Sequence, residues 1–335
     1  MNILIDMLVD AVALEHLRSI RGLSVRLIEP EEHVRPIAPE IIGDVEILFG
    51  EFPPENLSDM RVLKLIQIPT AGHNQLHHLD LPARGIRACN ARGNFDVPIA
   101  EWNIAMIVSL ARNLRQMIRN QDTGTWDRSA CFQREIRGSI VGLWGYGGIG
   151  RETARVAKAM GLRVHVLCRK PVGPSNHIYR VPETGDPDGV LPDKVFLPGQ
   201  EKEFFSNLDF LILAMPLTKT TRGIVGEREL QFLPRHAFVL NPARGPLIQE
   251  QALLKALESG WIAGAAIDTH YYYPMPTNHP LWRFPNVIMT PHIAGSSKST
   301  HYVDRSWDIF VSNTKRYLAG EQLLNELTRA QLGGE

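Results

Sequence analysis

Cysteine is scarce in this chain. Cys89, Cys131 and Cys168 are its three cysteines in 335 residues. They lie far apart, without metal-ligand spacing, and do not form the framework that staples small secreted domains. A reducing cytoplasm suits them. Net charge is also lacking, since 36 basic residues balance 36 acidic ones. No electrostatic footprint therefore points to nucleic acid or a membrane surface as a partner. No apolar run approaches the roughly 18 residues of a spanning helix. Met1 to Val12 carries Asp6 and Asp10 with no basic segment, so it does not read as a signal peptide. What remains is ordinary globular composition, 44% hydrophobic and 21% charged. The length exceeds one ordinary core, so two domains are expected.

The most informative stretch runs from Ser139 to Gly150. A short apolar strand leads into Gly145-Tyr146-Gly147-Gly148-Ile149-Gly150, helical spacing follows over Arg151–Met160, and Leu162–Cys168 alternates as a second strand. Strand, glycine turn, helix and strand in this order make a dinucleotide-binding unit. Gly145 permits the tight turn, Gly147 lets backbone approach a pyrophosphate, and Gly150 lets the helix pack on the sheet. The helix N-terminus offers free N–H groups and partial positive charge to the phosphates.

Taken in order, Asn2–Ile5, Leu23–Ile28, Val45–Gly50, Lys64–Ile68 and Ile86–Asn90 read as strands, with a helix over Val12–Ile20. Such alternation predicts a parallel sheet covered by helices. This first unit has no glycine fingerprint. Two of its loops, Pro69-Thr70-Ala71-Gly72-His73 and Arg92-Gly93-Asn94, sit beyond strand ends, where ligands bind or chains merely connect. Ile99–Asn120 predicts one long helix. After Cys168-Arg169-Lys170, the Pro- and Gly-rich residues 171–200 read as a surface excursion. Leu208–Ala214, Ala237–Asn241, Gly264–Ile267 and Val287–Met289 are further buried strands, Gln249–Ser259 is a helix, and a last helical pattern spans Ser297–Leu318.

Five motifs in order resemble the D-isomer-specific 2-hydroxyacid dehydrogenase family across nearly the whole chain. They are Gly145–Gly150, Met215-Pro216-Leu217-Thr218, Asn241-Pro242-Ala243-Arg244-Gly245, Gly264–Asp268 and Thr290-Pro291-His292-Ile293-Ala294-Gly295. The resemblance implies an α/β architecture of two doubly wound parallel-sheet domains. A Rossmann dinucleotide-binding domain, residues 99–295, is inserted into a discontinuous flavodoxin-like substrate domain, residues 1–98 and 296–335. It also implies a homodimer and an active site in the cleft. Arg244 resembles the clamp on a substrate carboxylate, since a guanidinium matches a carboxylate bidentately. His292 resembles the acid/base, because imidazole titrates near neutrality. Backbone N–H groups over Thr70, Ala71, Gly72 and His73 would face the carboxylate. The cofactor would lie against Gly145–Gly150, Met215, Pro216, Pro242, Ala243, Arg244, His292 and Gly295, with Asp268 at its nicotinamide end.

Two positions depart from the family pattern. Cys168, followed by Arg169 and Lys170, stands where NAD-preferring members carry Asp, so NADP is the expected cofactor ahead of NAD. Tyr273 stands five residues after Asp268, where the family has its catalytic Glu. The expected activity is hydride transfer between NADP(H) and a small 2-keto or D-2-hydroxy acid, glyoxylate- or hydroxypyruvate-like. The alternatives are a non-enzymatic nucleotide-sensing protein on this fold and a dehydrogenase of another small anion such as formate or phosphite. No metal is expected.

Overall fold

The computed structural model describes every residue except 32, 130, 132, 176, 177, 297, 298 and 335, and the side chain of residue 300. The chain divides into two units. The first comprises Met1–Phe95, His177–Val181 and Ser297–Glu335, and the second Asp96–Asn176 and Pro182–Ser296.

In the first unit the chain runs β1 (Asn2–Asp6), α1 (Ala11–Ser19), β2 (Ser24–Leu27), α2 (Pro39–Ile42), β3 (Ile47–Gly50), β4 (Leu65–Gln67) and β5 (Arg87–Cys89). The five strands are parallel in the order β2-β1-β3-β4-β5. Side chains alternate across a strand, so each strand serves two cores. Ile3, Ile5, Ile47, Phe49 and Leu65 join one buried cluster with Leu14 and Leu17 of α1. Leu4, Leu48, Ile66 and Ala88 join the other with Ile42 of α2. Asp10 starts α1 by accepting from the N–H groups of Val12 and Ala13 at 2.9 and 3.0 Å, which satisfies two orphan donors.

The second unit begins with α3 (Asp96–Ala111) and α4 (Leu114–Asp122), followed by β6 (Ile140–Trp144), α5 (Gly148–Ala159), β7 (Arg163–Leu167) and β8 (Lys194–Phe196). Then come α6 (Glu201–Phe205), β9 (Phe210–Leu213), α7 (Glu227–Phe232), β10 (Phe238–Asn241), α8 (Glu250–Glu258), β11 (Gly264–Ile267) and β12 (Val287–Met289). All seven strands are parallel, in the order β12-β11-β10-β9-β6-β7-β8. The order reverses between β6 and β9, and the crevice beyond their carboxyl ends is where such a Rossmann sheet holds its ligand. The chain then returns to the first unit with α9 (Thr300–Ala319) and α10 (Arg329–Leu332).

Two expectations need correction. The single helix over Ile99–Asn120 is two helices, because Asn113 takes a left-handed φ of 48° between them. The excursion over residues 171–200 is not all surface. Lys194–Phe196 adds the edge strand β8 to β7, with Phe196 2% exposed. Three residues are too few to show a period of two among so many prolines. Within the same excursion, His177–Val181 belongs to the first unit. A side chain on Gly93 would meet the Tyr179 carbonyl at 2.2 Å. The last helix starts at Thr300, and the expected start at Ser297 lies outside the described residues.

Candidate active site

The glycine turn follows β6, and its geometry separates the roles of its glycines. Gly145 has φ +106°, and a Cβ there would lie 2.6 Å from the Ala214 carbonyl at the end of β9. A Cβ on Gly150 would lie 2.6 Å from the Gly145 carbonyl, so the first turn of α5 seats directly on the loop. A Cβ on Gly147 would meet nothing within 4 Å. Space is therefore reserved at Gly147 and closed at its neighbours. Arg151 is the first residue of α5 whose N–H reaches a carbonyl, that of Gly147 at 2.9 Å. The N–H groups of Gly148, Ile149 and Gly150 make no hydrogen bond among the described residues. Open space and three free donors at a helix N-terminus fit the pyrophosphate of a dinucleotide.

Sequence reasoning missed a third closure. A Cβ on Gly148 would collide with the Asp96 carboxylate at 1.9 Å. Asp96 opens α3, 52 positions earlier, and no local pattern announces the contact.

The fingerprint also grips the excursion. The Tyr146 hydroxyl donates to Asp186 at 2.6 Å, while Gly189, Val190 and Leu191 donate their N–H groups to the same carboxylate. The Arg151 guanidinium reaches the Asp186 and Gly173 carbonyls and lies 5.0 Å over the Tyr146 ring. Buried Glu152 accepts from the Gly185 N–H. Beside these, the Cys168 thiol donates to the Lys170 carbonyl at 2.9 Å, and Arg169 and Lys170 are exposed past the end of β7. Met215 and Pro216 follow β9, with the Met215 backbone against Gly145.

Past β10, buried Asn241 shapes the Asn-Pro-Ala-Arg turn. Its side chain accepts from the Ala243 and Arg244 N–H groups at 3.1 and 3.2 Å and donates to the Arg244 carbonyl at 2.8 Å. Pro242 is buried within the turn. The Arg244 guanidinium donates to the Ala243 carbonyl at 2.7 Å and forms no ion pair among the described residues. Asn241 was not foreseen as a site residue, although a polar residue ending an apolar strand before proline is a legible signal.

Asp268, at the end of β11, is 1% exposed. Its carboxylate accepts from the Thr290 hydroxyl at 2.6 Å and from the N–H groups of Ile293 and Ala294 at 2.9 and 3.1 Å. The Trp102 indole donates to the same threonine at 3.1 Å. Asp268 thus holds the Thr290–Gly295 loop from beneath. Within that loop His292 sits at φ 58°, its N–H donating to the Asp268 carbonyl at 2.8 Å. The imidazole keeps contact with solvent. Surrounding protein, the Arg244 guanidinium and His270 nevertheless hold its pKa below the ordinary value, against the opposing pull of Asp268. Arg244, Asp268 and His292 therefore share one electrostatic neighbourhood. Tyr273 joins them, its ring edge-on to His292 with centroids 5.7 Å apart. Its hydroxyl accepts from the His270 N–H at 3.2 Å. His270 was also not foreseen. It is 7% exposed and its Nε2 lies 2.8 Å from the Thr290 carbonyl.

In the first unit, the Thr70–His73 loop is tied down through its carbonyls. Ala91 N–H donates to Thr70 O at 2.9 Å, the Asn90 amide to Ala71 O at 2.7 Å, and the Thr70 hydroxyl to Gly72 O at 2.9 Å. No N–H group over Thr70–His73 donates a hydrogen bond among the described residues. Burial first, and then His77, lower the His73 pKa. The Arg92–Asn94 loop is scaffolding at Asn94, whose buried amide donates to the Ser306 hydroxyl at 2.7 Å.

Comparison with known proteins agrees with this geometry. The model of the D-isomer specific 2-hydroxyacid dehydrogenase NAD-binding domain matches residues 104–294. The chain is 31% identical over 242 residues to a glyoxylate reductase of Thermofilum pendens, covering 70% of this chain and 66% of that protein, just under two thirds of its length. It is 31% identical over 273 residues to a putative 2-hydroxyacid dehydrogenase of Haemophilus influenzae, covering 78% and 81%. A D-isomer specific 2-hydroxyacid dehydrogenase of Xanthobacter autotrophicus Py2, solved with NADPH and MES, superposes with a TM-score of 0.75 at 25% identity, over 98% of this chain and 99% of that one. The chain belongs to the D-isomer specific 2-hydroxyacid dehydrogenase family, whose members are NAD(P)-dependent oxidoreductases acting on CH–OH donors.

Proposed function

We propose that this protein is an NADP-preferring reductase of a small 2-keto acid, glyoxylate- or hydroxypyruvate-like, working as a cytoplasmic homodimer. The observation that carries the reading is the placing of the Arg244 guanidinium, which forms no ion pair among the described residues, in the electrostatic neighbourhood of His292 together with buried Asp268. Reduction of a 2-keto acid needs a cation for the carboxylate and a proton for the carbonyl oxygen, and these two side chains are of the right kinds. Arg244 binds and orients the carboxylate through its fork. His292 gives its proton to the C2 oxygen, or takes it back in the reverse direction. Asp268 keeps the histidine loop in place. When bound, the nicotinamide cofactor supplies or accepts the hydride at C4, and the open space at Gly147 with the N-terminus of α5 would hold its pyrophosphate.

NADP preference rests on Cys168-Arg169-Lys170. Cys168 rather than a carboxylate follows β7, and the two exposed cations after it can pair with a 2′-phosphate. A charge-assisted contact contributes about 1.5–3 kcal/mol, one to two decades of preference. The test is oxidation of NADPH and NADH with a panel of 2-keto acids, by wild type and by Arg169→Ala. Turnover of at least one keto acid with NADPH favoured is expected, and Arg169→Ala should bring the two cofactors about tenfold closer. Tight cofactor binding with no turnover would favour a nucleotide-sensing protein. An unchanged cofactor ratio would remove Arg169 from the site.

A further inference from the structure

We propose that the phenol of Tyr273 is a second donor to the substrate's carboxylate, working beside Arg244. This rests on the 2-keto acid reading above and assigns one more substrate contact within it.

Three observations carry the proposal. Tyr273 is 61% exposed, yet its hydroxyl oxygen is positioned by the His270 N–H at 3.2 Å. A phenol has a single proton, and with its oxygen accepting from an N–H that proton is left to be donated. The anchoring N–H is itself held firmly, since His270 is buried and its imidazole is fixed on the Thr290 carbonyl at 2.8 Å.

The second observation is where that anchor lies. A Cβ on Gly245 would meet the carbonyl carbon and oxygen of His270 at 2.5 Å. The residue that orients the phenol therefore packs its own backbone directly against Gly245, next to Arg244.

Third, the Tyr273 ring meets His292 with its edge, at an interplanar angle of 62°. No hydrogen bond joins the two side chains among the described residues. The ring packs against the imidazole while the hydroxyl is directed elsewhere, which separates a wall from a donor within one side chain.

The chemistry is consistent. A neutral phenol beside an arginine fork adds a hydrogen bond to an anion, whereas a carboxylate in its place would repel one. His292 is then left to the C2 oxygen alone. The substrate so recognised is a 2-keto or 2-hydroxy acid whose carboxylate takes three donors, two from Arg244 and one from Tyr273.

Tyr273→Phe removes the hydroxyl and keeps the ring. The probe is oxamate, an unreactive 2-keto acid analogue, titrated into the full chain saturated with NADPH. The variant should bind oxamate about tenfold more weakly and show a matching rise in KM for glyoxylate. Its kcat should change less than KM, the pH profile of kcat should stay in place, and NADPH affinity should hold. Oxamate binding as tight as wild type, in a protein whose wild type reduces keto acids, overturns the inference and leaves the dehydrogenase reading standing. A loss confined to kcat with a moved pH profile also overturns it, because Tyr273 would then act through His292. Wild type that neither binds oxamate nor reduces any 2-keto acid would sink both readings.

Discussion

The proton affinity of His292 is set by a few neighbours, and its direction has a kinetic consequence. Burial and Arg244 lower its pKa, His270 lowers it further, and Asp268 opposes them. In its proposed role as the acid, His292 serves ketone reduction from the imidazolium form. That form is lost as pH rises through the lowered pKa, so reduction should decline from below the ordinary histidine value of about 6.5. Oxidation uses the neutral imidazole and should be retained at neutral pH. Tyr273→Glu would place a carboxylate at the edge of this ring, which favours the charged form and should move the basic limb of kcat for reduction upward by about one unit. A pH profile of kcat at saturating keto acid checks this, and an unmoved limb with both proteins active would refute it. At this scale the sequence singled out His292 and Arg244 by distinctive motifs, and the structure places the two side chains in one electrostatic neighbourhood. The sequence was less readable for Asp268, whose carboxylate is occupied by Thr290, Ile293 and Ala294 rather than left free. His270 was invisible as one of 12 histidines.

Among the elements, the turn between β6 and α5 gives the sharpest contrast. Gly147→Ala adds a methyl where nothing lies within 4 Å. The fold should keep its Tm within a degree or two, while NADPH affinity falls at least tenfold because the methyl occupies the phosphate's approach. Gly145→Ala forces a side chain to φ +106° and against the Ala214 carbonyl. Strain and overpacking of about 1–3 kcal/mol should lower Tm by several degrees. Thermal melts and cofactor titrations of both variants separate the two roles. Equal loss of Tm in both would mean that Gly147 is structural as well. The spacing of these glycines was legible because their chemistry is local to one strand and one helix. The closure of Gly148 by Asp96 was not, since it joins α5 to the start of α3. The break at Asn113 and the strand β8 were missed for a related reason. One residue's φ and a three-residue edge strand leave no period to detect.

For the molecule as a whole, the first unit is completed only by chain that arrives last. Phe49 of β3 stacks on Phe310 of α9 with centroids 4.3 Å apart and meets Trp307 edge-on at 5.6 Å. Buried Gln67 of β4 accepts from Asn313 of α9 at 2.8 Å. Removing a large buried aromatic costs about 3–5 kcal/mol, and a fragment of residues 1–95 loses two of them at once. That fragment should show no cooperative thermal transition, whereas a fragment of residues 96–296 should melt cooperatively. A cooperative transition in the first fragment would show that α9 is dispensable. The sequence by itself determined the alternation of strands and helices and the glycine turn, and it singled out Arg244, His292 and Tyr273 as candidates. These depend on periods and motifs within a few residues of one another. Only the tertiary structure decided that residues 177–181 belong to the first unit, that Tyr146 and Arg151 grip the excursion through Asp186, and that His270 orients Tyr273. Each of these depends on side chains or segments that meet through packing and hydrogen bonds, and no local spacing records which distant residues will fill a given hydrogen-bond vacancy or cover a given apolar face.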